Sequence, residues 1–210
     1  MPAKKKAAAP AKNSARKKAA AAVPAPRLPI LKEDDLKPDQ RALLDSLRAG
    51  PRGSGVQIRG PFAVYLHAPE YGELVQQLGA HVRFSKLVPH RLTELAILVT
   101  ASLWRSQYEW HMHALHAAKA GLSDKIINDI RMGRVPKGLT KNERAIYDFV
   151  KELHKTKRVS DRNYKRVHAI VGDAGMVEFV GICGYYVLVA MTLNVFRMPP
   201  PAGTPLPFRE

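Results

Sequence analysis

From Leu36 onward, apolar residues recur at spacings of three and four, with clear punctuation between the runs. That period belongs to amphipathic helices. Leu36, Leu43, Leu44 and Leu47 predict a helix over Leu36–Leu47, followed by a loop over Gly50-Pro51-Arg52-Gly53-Ser54-Gly55. A short helix is expected over Phe62–His67, stopping near Pro69. Leu74, Val75, Leu78 and Val82 form the stripe of a helix over Tyr71–Phe84. Pro89 suits the start of the next, along which Leu92, Leu95, Ala96, Leu98, Val99 and Leu103 repeat. Ser106 followed by Glu109 reads as a capping box, so a break is expected near Arg105 and a new helix over Gln107–Ala120. Gly121 suits its stop. Ser123 caps a short helix to Met132, and Thr140 with Glu143 forms a second box opening a helix to about Lys155. Ser160–Val171 and Met176–Phe196 complete the set before Pro199-Pro200-Pro201. No strand alternation competes with this pattern. The expected fold is an all-α helical bundle.

The first 27 residues break the pattern. They are Ala, Lys and Pro in low-complexity order, with eight basic residues and no acidic one. They cannot bury enough surface to offset the entropy of ordering, so a disordered tail over 1–27 and a single domain over 28–210 are expected. A solvated solubility tail, a polyanion-binding tail, a nuclear localisation signal and a transit peptide all fit such a segment. The tail carries half of the chain's net charge of +16; the body, with 26 basic and 18 acidic residues, carries the other +8. A uniformly basic nucleic-acid coat is therefore excluded, although weak polyanion contact through the tail is compatible.

One cysteine, Cys183, excludes an internal disulfide framework and a thiolate zinc cluster. A reducing, cytoplasmic setting is expected. No apolar segment of a secretory signal follows the basic start. Met176–Leu193 is the most apolar stretch, but Glu178, Gly181, Gly184 and two tyrosines suit a buried or oligomer-interface helix better than a membrane span. Tyr185 and Tyr186 are adjacent, so only one is expected to face the core. Cys183 reads as a core thiol, and Asn194 as a helix-end hydrogen-bonding group.

The densest polar constellation is Glu94, Ser106, Tyr108, Glu109, Trp110, His111, His113 and His116. On a helix, Glu109, His113 and His116 share one face, and His111 points elsewhere. A carboxylate beside an imidazole favours its charged form and fixes the ring nitrogen that carries the proton, which general acid–base chemistry requires. Glu94, on the preceding helix, can fold back toward the same place. A metal site is not expected, because the His-Glu-x-x-His order is missing and no further ligand is evident. The bland alternatives are a simple capping pair at Ser106 and Glu109 and a surface role for His116.

Arg91-Leu92-Thr93-Glu94-Leu95-Ala96-Ile97-Leu98, Tyr108-Glu109-Trp110-x-x-His113 and Ala120-Gly121-Leu122-Ser123 together resemble the carboxymuconolactone decarboxylase-like family, and Gly184-Tyr185-Tyr186 through Asn194-Val195-Phe196 is similar to its closing helix. The resemblance spans roughly residues 35–200. It implies a helical fold assembled into trimers or hexamers, no metal or organic cofactor, and small anionic substrates such as cyclic carboxylates or lactones of aromatic-compound degradation. The alkylhydroperoxidase D-like members carry a Glu, then Cys-x-x-Cys, then a His. Glu94, Ser106, Glu109 and His113 occupy those four positions, so both thiols are replaced. A thiol peroxidase needs one thiolate to attack peroxide and a second to resolve the sulfenic acid, which argues against peroxidase activity here.

The resemblance thus points to a cofactor-free lyase. In it His113, held by Glu109, would give a proton to carbon after loss of carbon dioxide, with Glu94 orienting His113 or a water. Tyr108, Arg105 or Ser106 would hold the substrate. A non-catalytic binding or scaffold relative is the competing expectation. It predicts that Glu94, Glu109 and His113 are spent on caps and internal bonds.

Overall fold

The computed structural model describes residues 25–208. Its axis is the helix His90–Leu103, which we call α4. Every residue from Leu92 to Ala101 on it is buried. A helix can be buried all round only if other helices cover every face. Here α5 (Gln107–Lys119), α7 (Lys141–Thr156) and α8 (Asp161–Val195) do so. The helices α1 (Pro38–Ala49), α2 (Pro61–Tyr65) and α3 (Pro69–Phe84) form a flank that reaches α8, and the short α6 (Asp124–Arg131) closes the α4–α5 end. Among the described residues there is no strand, as the pattern predicts.

Most boundaries agree with the sequence reading, and the differences have local causes. Pro69 does not stop α2 but sits in the first turn of α3, where its missing N–H has no intrahelical partner to lose. Leu36 lies outside α1, at the end of a short 3-10 turn over Glu33–Asp35. The long α8 is two helices joined at Gly172, whose φ of 68° is the left-handed region that glycine tolerates. The predicted gap between Val171 and Met176 therefore falls at that one residue. Residues 1–24 of the expected tail lie outside the described residues. Its last member, Arg27, is already part of the fold: its backbone N–H donates to the Phe196 carbonyl at 3.0 Å and its guanidinium to the Val195 carbonyl at 2.8 Å.

Of the two capping boxes, only one forms. Thr140 Oγ1 accepts from the Glu143 N–H at 3.2 Å, and Glu143 Oε2 accepts from the Thr140 N–H at 2.7 Å. Ser106 is the N-cap of α5, but its side chain makes no cap bond, and Glu109 does not reach back. The turn before it does the work instead. Arg105 adopts a φ of 50°, and the Ser106 N–H donates to the Ala101 carbonyl at 2.9 Å. This closes α4 as a Schellman turn with arginine in the position usually held by glycine. The turn lays α5 back along α4. Glu94 and His113 then face each other across the two helices.

α8 passes the length and composition test for a membrane span, yet Met176, Phe179, Ile182, Cys183, Tyr185, Tyr186, Val189 and Leu193 are buried against the other helices. Phe179 meets Phe149 of α7 edge-on, with ring centroids 5.2 Å apart. Each such fully buried ring contributes about 1.5–3 kcal/mol relative to exposure.

Candidate active site

Glu94 is wholly buried on α4, and its Oε2 lies 2.8 Å from Nδ1 of the buried His113 on α5. Burial works against the Glu94 charge. The attraction of His113, with smaller contributions from His116 and Arg83, outweighs it and holds the carboxyl below its ordinary range. An ionised Glu94 fixes the tautomer: Nδ1 carries the hydrogen and donates it, leaving Nε2 to exchange a proton elsewhere. Among the described residues no group hydrogen-bonds Nε2 of His113. The other Glu94 oxygen has only His90, one helical turn away, at 4.0 Å.

The other residues singled out from sequence do not join this pair. Glu109 does not hold His113. It shares a helix with it at the right spacing, but its carboxyl is fully enclosed and neither oxygen has a hydrogen-bond partner among the described residues. Burial raises its pKa well above the ordinary range, and nearby Ser106 only partly counters this. Glu109 is a neutral acid in the core. Tyr108 lies with its ring against the backbone of Gly60, near Arg59. Arg105 points outward, its guanidinium 5.9 Å from the Phe208 ring, beside a 660 Å³ hollow lined also by Ser102, Arg131 and Pro207. The Schellman turn explains this: the left-handed residue projects away from the bundle. Glu109, His113 and His116 converge on no metal-binding arrangement among the described residues.

Different side chains surround His113. The Tyr186 ring meets it edge-on at 4.9 Å, and His116 lies at 5.7 Å. Nε2 of His116 accepts a hydrogen bond from Arg83 of α3 at 2.8 Å. Burial and the Arg83 charge push His116 down to about 4, so it is neutral at physiological pH and able to accept that bond. Both Tyr185 and Tyr186 are buried, against the expectation that only one would be. Their positions differ by about 100° around α8, and α8 is wedged between α5, which receives Tyr186, and α3, which receives Tyr185.

Tyr185 owes its place to Gly79. A Cβ there would collide with the Tyr185 hydroxyl and lie 3.0 Å from Nη2 of Arg52. The hydroxyl and the guanidinium therefore meet over a bare stretch of α3. Arg52, from the glycine-rich loop, is held by Gln76, donating to its side-chain oxygen and its carbonyl, each at 3.1 Å. Burial pushes the Tyr185 phenol up to about 12 and lowers Arg52. Gln76, Gly79 and Arg83 follow one another at helical spacing on one face of α3. That spacing was the available signal. The apolar stripe of the same helix masked it.

Cys183 is buried, and burial raises its thiol to about 12. It borders a 300 Å³ cavity with Trp104 and His154, adjoining an 860 Å³ surface hollow over Lys151, Lys155 and Lys157. Neither is lined by Glu94 or His113. Asn194 donates from its side chain to the Trp104 carbonyl at 2.8 Å, a helix-end bond.

Residues 69–152 match the model of the carboxymuconolactone decarboxylase family. No curated protein matches the chain. Solved structures that share its fold include two bacterial proteins. One is a protein of unknown function from Agrobacterium tumefaciens, given as a candidate antioxidant defence protein AhpD. It is 23% identical with a TM-score of 0.60, over 66% of this chain and 96% of that one. The other is an uncharacterized peroxidase-related protein from Ralstonia eutropha JMP134 with an alkylhydroperoxidase AhpD core. It is 14% identical with a TM-score of 0.69, over 86% and 95% of the two chains. The segment similar to the carboxymuconolactone decarboxylase family contains both helices of the Glu94–His113 pair, and the fold around them is the one seen in the AhpD-core structure.

Proposed function

We propose that the chain is a cofactor-free lyase that acts on a small carboxylated ring or lactone, with His113 as general acid–base and Glu94 as its positioning partner. The observation that carries this reading is the buried 2.8 Å bond from His113 Nδ1 to Glu94, which leaves Nε2 without a partner among the described residues. In the proposed step the bond between the ring and its carboxylate breaks. The electron pair passes through a conjugated double bond to a carbonyl, and carbon dioxide leaves. His113 then gives a proton from Nε2 to carbon, and solvent restores it. One proton is taken up for each carbon dioxide released. Against thiol peroxidase chemistry stand Ser106 and Glu109 in the two thiol positions and a Cys183 thiol raised to about 12. Glu109 has no catalytic part in this proposal, because its neutral carboxyl does not reach His113. The substrate-holding part given above to Tyr108, Arg105 and Ser106 passes to groups around His116.

The chain is further proposed to assemble with copies of itself. Val177, Val180, Met191 and Val195 are exposed along α8, interleaved with Gly181 and Gly184. Their spacing draws one apolar stripe along the helix. A second functional reading, a non-catalytic binding relative, is favoured by one observation: no described cavity is lined by Glu94 or His113.

The test is a screen of lactones and conjugated keto acids for carbon dioxide release. Once a substrate is found, folded His113→Ala and Glu94→Gln variants should lose about 10²–10⁴-fold in kcat. Undiminished turnover by either variant would overturn the assignment.

A further inference from the structure

We propose that the surface between α3, α5 and α8 binds a small flat organic carboxylate, its oxygens held by Arg83, Arg52 and the Tyr185 hydroxyl and its ring set against Tyr186 and His113.

The observations run around the site. Arg52 and Arg83 are both half-buried, and among the described residues neither is paired with a carboxylate. Arg83 spends one donor on a neutral acceptor, His116 Nε2. Arg52 spends two on Gln76. Gln76 is itself locked, donating to Ser46 Oγ at 3.1 Å and to Glu73 Oε1 at 3.0 Å. The nearby carboxylates are all engaged: Glu94 with His113, Glu178 with His81, and Glu73 with Ser46, Gln76 and Gln77. The two guanidinium groups are close enough that their repulsion adds to the effect of burial on Arg52.

Two half-buried like charges without a counter-ion cost stability, and a fold that keeps them gains only when an anion arrives. A guanidinium retains several donors in one plane, which matches a carboxylate. The aromatic surroundings select among anions. Tyr185 and Tyr186 stand edge to face with centroids 5.3 Å apart, Tyr186 meets His113, and Arg52 lies 5.3 Å from the Phe62 ring. Such walls favour a planar unsaturated acid over inorganic phosphate. Gly79 is part of the device. Any side chain there would separate the Tyr185 hydroxyl from Arg52.

This site deepens the proposed function and rests on it only in placing the ligand beside an acid–base pair. The test is calorimetric titration of the full chain with benzoate, and separately with inorganic phosphate, at pH 7. Wild-type protein should bind benzoate at least tenfold more tightly than phosphate. Arg83→Gln and Arg52→Gln should each weaken benzoate at least tenfold. Tyr185→Phe, which keeps the ring, should weaken it several-fold, and Arg144→Gln on the outer face of α7 should leave it unchanged. Circular dichroism of each variant checks folding. No benzoate binding by wild-type protein, or equal binding by folded Arg83→Gln, overturns the site. Phosphate binding as tight as benzoate overturns the flat-carboxylate assignment. His113→Ala, which removes one wall of the ring site, should weaken benzoate several-fold and abolish turnover of any substrate found. If benzoate binds through Arg83 while the substrate screen finds no turnover, the site stands and the lyase reading fails.

Discussion

Glu109 is a carboxyl that the fold keeps protonated. Burial lifts its folded pKa well above the ordinary value of 4.5. Below that ordinary value, Glu109 is protonated in the folded and unfolded chain alike, and its contribution to stability is fully present. As pH rises toward the raised folded value, only the unfolded chain gives up the proton, and the contribution is lost. Glu109→Gln keeps the shape and removes the titration. Its urea midpoint should therefore exceed that of wild-type protein at pH 8, with the gap narrowing toward pH 4. Equal midpoints at pH 8 would contradict this account. The sequence showed that Glu109, His113 and Glu94 come together in one region, but not which acid meets the imidazole. Spacing along one helix favours Glu109. The partner that wins comes from another helix, and that choice depends on the angle at which α5 returns along α4. Arg52 and Arg83 were hidden for the same reason, since they meet only through the packing of α3 on α8.

At the scale of the helices, local pattern succeeded where local bonds decide the outcome. Thr140 and Glu143 form both bonds of their box, so Thr140→Ala should lower unfolding free energy by about 1 kcal/mol. Ser106→Ala, at a position with the same sequence signature but no cap bond, should change it by less than about 0.5 kcal/mol. Urea unfolding of the two variants side by side checks the contrast, and equal losses would contradict it. The break at Arg105 was legible through the start of the new helix, although the Schellman turn that makes it contains no glycine. The two halves of α8 were read separately because the apolar period lapses between Val171 and Met176. The backbone breaks between them at Gly172, whose left-handed φ falls inside that lapse.

For the whole molecule, the exposed stripe on α8 carries the assembly proposal. Val177 is 78% exposed, which is unusual for a residue flanked by core positions on either side. Paired Val177→Glu and Val180→Glu substitutions should convert an assembly to monomer in sedimentation velocity while leaving helicity intact. A wild-type chain that sediments as a monomer, or a double variant of unchanged size, would remove this proposal. All-helical architecture was legible because nearly every element declares itself within its own twenty residues. Faces between elements, including this stripe, depend on what finally packs against them.

The complete burial of α4 has a consequence in time. Backbone amides around Glu94 can exchange with solvent only when neighbouring helices detach together, so their hydrogen exchange reports global opening. One half of the proposed acid–base pair is thereby denied any independent motion. In the proposed site, adaptation to a ligand would come from the rim, through the loop bearing Arg52 and the side chain of Arg83, while the carboxylate behind His113 stays fixed like a bearing in its housing.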